Sequence, residues 1–192
     1  MKQKKFIYIL LAAFIILGAC SKENEIVLEP FKYSAQQIDT TTILGKKIYE
    51  INEKYESKII YNWDAHFIGN DAKATPPYYE KVYDFILFLE EVWFKPYYND
   101  EFLRNNLPRE IVLVGGSINY GEDNGSDFGA AGQAESQYRI AIGWVNSFNP
   151  DFDLYNYSTF RFNMELVLHH EFSHILHRRY DIPEEFLAIS KG

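Results

Sequence analysis

The chain reads as an α+β domain: a small mixed sheet with helices, the last of them buried and carrying a His-Glu-x-x-His pattern. Three observations predict this. The apparent order of elements is helix, strand, helix, strand, loop, strand, helix, which does not alternate as a doubly wound fold would. The 192 residues are 47 % hydrophobic and 17 % aromatic, with 15 Tyr and 15 Phe, enough for one domain with a real core. No internal repeat and no low-complexity stretch interrupts them.

The first residues read as an address rather than as structure. Met1 to Lys5 is basic, and Phe6 to Leu17 is an uncharged apolar run. Such a run is short for a membrane span and of the length of a secretory h-region. It ends in Leu17-Gly18-Ala19-Cys20, small residues before the chain's one cysteine, as in a bacterial lipobox. Residues 1–19 are therefore expected to be a lipoprotein signal peptide, with Cys20 the lipidated first residue of the mature chain. Residues 20–33 read as a polar tether, and 34–192 as the folded domain. A single cysteine allows no internal disulfide, so the domain depends on its core alone.

Each element has its own signal. Ser34 to Tyr55 has helical spacing, with Ile38, Ile43, Leu44, Ile48, Tyr49 and Ile51 mostly on one side and Ser34 as N-cap. Ser57 to Trp63 is short and β-prone. "DAKATPP" is a breaker-rich loop. Tyr78 to Phe94 is a second helix, burying Val82, Phe85, Ile86, Leu89 and Val92, and Asp100 to Asn106 adds a helical turn before Pro108. Glu110 to Tyr120 is a buried strand cut by Gly115-Gly116. Gly121 to Gly132, rich in Gly, Asp, Asn and Ser, is a long loop. Gln137 to Val145 is a strand whose Tyr138, Ile140 and Ile142 alternate with Arg139, Ala141 and Gly143. Ser158 to Arg178 is the last long helix, apolar nearly all round and so expected to lie centrally in the core.

Charge excludes one class of partner. The formal net charge is -8. Without Lys2, Lys4 and Lys5 of the export segment, 16 basic residues face 27 acidic ones, a net of -11. Such a surface repels phosphate backbones, so nucleic acid is not an expected partner. No phosphate-cradling Gly-rich loop ending in Lys-Ser/Thr is present.

The last helix carries the chemistry. Within "LHHEFSHILH", His170 and His174 stand one turn apart on one face, about 6 Å along the axis. Two imidazole nitrogens so placed can converge on one Zn²⁺ at about 2.0–2.1 Å. Glu171, rotated about 100° from His170, is kept off the metal but near water activated there. It is the expected catalytic base, taking the water's proton and passing it to a leaving amine. The pattern is short and can arise by chance, and a lone buried His is usually a core residue. Two His and a Glu on one apolar helix are harder to explain as packing. Unpaired burial costs about 1–3 kcal/mol per neutral polar group and more for the carboxylate. His177 lies about 10 Å along the axis from His170, too far to share its ion; it suits the helix end, where a protonated His meets the dipole. His169 points elsewhere and reads as a supporting or core residue. The longer metzincin pattern fails, because His177 stands where it needs Gly and Tyr180 where it needs His.

"LPREIVLVGGSINY", "GAAGQAESQYRIAIGWVN" and "LHHEFSHILH", in that order, resemble the zinc-binding metallopeptidase lipoproteins associated with TonB-dependent substrate import. The resemblance covers the chain from about Ser34 onward. It implies a zincin-like fold, Zn²⁺ at His170 and His174, Glu171 as base, and a peptide or protein substrate. It also implies that the strand Gln137–Val145 is the edge strand that pairs with an extended substrate. The implied setting is export and lipid anchoring to the outer membrane, on its periplasmic side or at the cell surface, with a TonB-dependent uptake complex as partner. The family places its third protein ligand downstream of the motif. Only Asp181, Glu184 and Glu185 are acidic after His174, and the path back from Pro183 is short. The resemblance thus implies a C-terminally truncated member with a weak or empty zinc site. The alternative from another class is a non-catalytic surface lipoprotein of a nutrient-uptake complex that keeps the fold.

Overall fold

The computed structural model describes residues 38–64, 67, 72–120, 129–181 and 184–185. The signal peptide, Cys20, the tether and the proposed N-cap Ser34 lie outside these residues, as does most of the Gly-rich loop. From Ile38 onward the described chain forms one unit.

Helix α1 runs Ile43–Tyr55 and starts later than its periodicity suggests. The reason is local. Thr41 donates to the Asp39 carboxylate from both its N–H and its hydroxyl, at 3.0 and 2.6 Å, an Asx-type turn that competes with helix. Thr42 then caps the helix, its hydroxyl accepting from Gly45 N–H at 2.9 Å. Gly45 is required there: a Cβ would lie 1.7 Å from the Asp39 carbonyl oxygen. Leu44, Ile48, Ile51 and Tyr55 face the core, whereas Ile43 and Tyr49, expected with them, are exposed.

Strand β1, Lys58–Ile60, follows, then the two-residue β2, Ala72–Lys73. Helix α2, Tyr79–Leu89, buries Val82, Phe85, Ile86, Phe88 and Leu89. It passes through a π-helical turn, Glu90–Phe94, into the short α3, Lys95–Tyr98. Pro96 cannot donate to a carbonyl one turn back, and the widened turn just before it absorbs that loss. The turn drives Trp93 and Phe94 fully into the core. Helix α4, Glu101–Asn106, forms where a helical turn was expected and is capped by Asp100.

The main sheet has the order β1-β3-β6-β5, with β3 at Glu110–Leu113, β5 at Gly132–Ala134 and β6 at Arg139–Ile142. β1 and β6 flank β3 in parallel; β5 joins β6 antiparallel. Ile111 and Leu113 face the helices, while Val112 and Val114 face a second cluster with Ile60, Trp63 and Ile118. β3 is thus buried on both faces, which is why it reads as a continuous apolar run. Glu110 opposes Arg139 in register, and their side chains pair at 2.6 Å. Past Gly115-Gly116 the chain makes β4, Asn119–Tyr120, which pairs with β2 outside the main sheet. The mixed α+β class is as expected.

The sheet order corrects one expectation. The strand after the Gly-rich loop is an inner strand, β6, and the free edge belongs to β5. The sequence offered no strand there, because "GQA" is too short and too small to carry a β signature.

A short helix α5, Pro150–Asp153, precedes α6, Thr159–Arg179. Ser158 caps α6, accepting from Arg161 N–H at 3.0 Å and donating to buried Asp153 at 2.6 Å. α6 packs against β5, β6 and the π-helical turn through Met164, Leu168, Glu171, Phe172 and Ile175. It is not a central helix buried all round. Phe162 is 44 % and Leu166 52 % exposed, both on the side away from the sheet. One helix laid on one sheet face covers one stripe, whatever the composition of the others.

Candidate metal and catalytic site

α6 crosses the sheet at β5, and that crossing builds the site. His170 and His174 lie on the open side of the helix, both exposed. Their Nε2 atoms are 3.1 Å apart, with ring centroids at 4.7 Å and planes at 90°. Two nitrogens held about 2.0–2.1 Å from one ion at a tetrahedral angle would stand about 3.3–3.4 Å apart. The observed pair is within a few tenths of an ångström of that, so the rings converge as a zinc site requires. The side chains fit the ion: their Nε2 atoms meet at 3.1 Å, and both residues are exposed.

Glu171, one residue on, turns the other way. Its residue is only 9 % exposed, and its Oε2 accepts from Ala134 N–H at 2.7 Å. This bond comes from the free edge of β5. In an antiparallel edge, alternate residues turn their main-chain groups outward. Gly143 N–H bonds Ala131 on the inner side, and Ala130 bonds Ile118 on the outer side. Gly132 and Ala134 therefore share the outward side with Ala130. The sheet edge thus holds Glu171 in place through one of its carboxylate oxygens.

Close approach makes this possible. A Cβ on Gly132 would lie 2.6 Å from Val167 Cγ1 and 2.9 Å from Glu171 Cγ. The glycine lets β5 and α6 meet within reach of the Ala134–Glu171 bond. Gly132 and Ala134 carry no sequence signal for this role; only their place opposite Glu171 reveals it.

The other histidines stand apart from the pair. His169 is exposed rather than core. Its Nδ1 meets the Tyr97 hydroxyl at 2.5 Å, and the two rings stack at 5.6 Å. Tyr97, on α3, also packs on Phe172 at 4.9 Å, so the bond ties the outer and inner sides of α6 to the helix beyond the π-helical turn. Burial lifts the Tyr97 hydroxyl above its usual pKa, which keeps it protonated. His177 is exposed near the helix end. Among the described residues no third His, Cys, Asp or Glu groups with His170 and His174. Asp181, Glu184 and Glu185, all exposed, do not join them.

Comparisons with known proteins give a family and a likeness of fold. The family model described as "Putative zinc-binding metallo-peptidase" matches residues 41–192. A solved structure, a "putative zinc-binding metallo-peptidase" from Bacteroides caccae, is similar with a TM-score of 0.51 and 20 % identity. The match covers 78 % of this chain and 55 % of that one, so this chain spans little more than half that relative's length. At such identity the likeness is one of fold. No curated protein matches the sequence.

Proposed function

This chain belongs to the zinc-binding metallo-peptidase family whose model it matches over residues 41–192, and from that premise we propose that it is a zinc-dependent peptidase using His170 and His174 as ligands and Glu171 as base. The observation that carries the reading is the convergence of the two Nε2 atoms at 3.1 Å on the helix that also carries Glu171, held by the sheet edge.

Zinc bound there supplies a Lewis acid that polarises a carbonyl and acidifies water. The remaining work falls to the chain's own residues. Glu171 takes a proton from the attacking water and delivers it to the departing amine nitrogen. Ala134 N–H holds the carboxylate against α6 through that transfer. The outward main chain of Gly132, between the Ala130–Ile118 and Ala134–Glu171 bonds, would offer an extended substrate a rung of pairing.

The experiment is bound zinc per chain by elemental analysis, with chelator-sensitive hydrolysis of a peptide mixture. We expect zinc in the wild type, its loss in His174→Ala, and zinc retained with hydrolysis abolished in Glu171→Gln. Hydrolysis that survives Glu171→Gln refutes the assignment. A second reading, a non-catalytic surface lipoprotein that keeps the fold, is favoured by the lack of a third ligand among the described residues. Wild-type protein without zinc and without hydrolysis supports it.

The setting we propose is an exported lipoprotein anchored through Cys20 to the outer membrane, serving a TonB-dependent uptake complex. Its support is the basic start, the apolar run and the small residues before Cys20. Incorporation of a labelled lipid precursor, lost in Cys20→Ser, is the expected result; label retained in that variant rejects the anchor.

A further inference from the structure

One surface depression is positively charged in a chain whose formal net charge is -8. It has a volume of about 150 Å³ and lies where the last turn of α1 meets α3, α4 and the start of β3. None of its lining residues belongs to α6, so it is separate from the histidine pair. Lys54, Arg104 and Arg109 converge on it, with Glu56 the one acidic residue of the lining.

The cations are sparsely matched. Arg109 pairs with Glu56. Arg104 sits 5.4 Å from the centre of the Tyr98 ring and gives one hydrogen bond, to the Tyr98 carbonyl at 3.3 Å. Lys54 lies over the same ring at 5.7 Å and over Tyr55 at 4.8 Å. Ring contacts of this exposed kind are weak and leave the N–H donors without an acceptor of their own.

Helix ends are the competing explanation, since α1 terminates here and cations suit a C-terminus. The magnitudes decide between them. Three positive charges against one negative leave two, and the C-termini of α1, α3 and α4, which all end here, each offset at most roughly half a charge. The depression therefore remains positive. Its crowding is felt next door: burial, and then the charge of Arg109, hold the Arg179 guanidinium below its ordinary pKa.

We propose that this depression binds a tetrahedral oxyanion, sulfate or phosphate, either free or as an ester on a small ligand. An anion matches the sign of the local excess, and guanidinium forks match its oxygens. The depression has room for one such group.

The test is an amide NMR titration of the full chain with inorganic sulfate, inorganic phosphate and glycerol phosphate, against sodium chloride at matched ionic strength. Saturable shifts of the Asn105 and Arg109 amides, absent with chloride, are expected. The paired substitutions Lys54→Gln and Arg104→Gln, both at exposed positions, should weaken binding at least tenfold. Tighter binding of glycerol phosphate than of the free ions identifies an ester as the ligand; equal binding identifies the free ion. Shifts that fail to saturate, or that follow chloride, overturn the site from the wild-type titration alone, as does unchanged affinity in the double variant.

Discussion

Replacing Gly132 by Ala tests whether the contact between β5 and α6 sets the position of Glu171. The added methyl would lie 2.6 Å from Val167 Cγ1 and 2.9 Å from Glu171 Cγ. Ordinary carbon contacts are about 3.5–4.0 Å, so something must move by about 1 Å. Val167 is β-branched and stiff on its helix, and cannot swing away cheaply. If β5 moves instead, the 2.7 Å bond from Ala134 N–H to Glu171 opens past the hydrogen-bond range. Either route costs about 1–3 kcal/mol, as overpacking or as a lost bond to a charged group. The opposing gain, a less flexible unfolded chain, is only about 0.4–1 kcal/mol. A net loss should follow, read as a fall of about 2–4 °C in melting temperature per kcal/mol for a domain of this size. The assay is urea unfolding of Gly132→Ala, Val167→Ala and the double variant. Removing Val167 Cγ1 opens the space, so the double variant should be more stable than the sum of the single effects by about 1 kcal/mol or more. Additive effects within about 0.5 kcal/mol, or Gly132→Ala as stable as wild type, would refute the contact as drawn.

Two further outcomes follow from local networks. Ser158→Ala removes both the cap of α6 and the hydroxyl donor to buried Asp153, and should cost about 2–4 kcal/mol. Thr42→Ala, at a half-buried cap on α1, should cost about 1 kcal/mol, so equal losses in urea melts would contradict the double role. Glu90, in the π-helical turn, has its carboxylate bound by Lys47 at 2.5 Å and by the Tyr55 hydroxyl at 3.1 Å. Burial works to raise its pKa, but these partners outweigh it and hold the group below the usual 4.5. A depressed carboxylate contributes stability that is present above the unfolded pKa and lost as pH falls through the folded one. Lys47→Met should therefore lower stability near neutral pH and flatten the acid limb below about pH 4.5. A parallel, undiminished acid limb in that variant would show that the pair contributes nothing.

The division between what could and could not be read beforehand follows from the range of the interactions involved. The α+β class, the last helix from Ser158, the strand at Glu110 and the His-Glu-x-x-His face were all legible, because each rests on spacing within one element. A helical period alone puts His170 and His174 together and turns Glu171 about 100° away. The start of α1 was misplaced because an Asp39–Thr41 turn overrides apolar spacing. The edge strand was misassigned because three small residues become a strand only when β6 is there to pair with them. The burial of α6 was overstated because composition records which side chains are apolar, not which of them meet a partner. Likewise the donor to Glu171 is a backbone N–H of Ala134, 37 positions earlier, and no side chain marks it. Local periodicity decided where the histidines and the carboxylate point; only the crossing of α6 over the end of the sheet decided what holds that carboxylate, since main-chain hydrogen bonds between distant segments leave no trace in residue type.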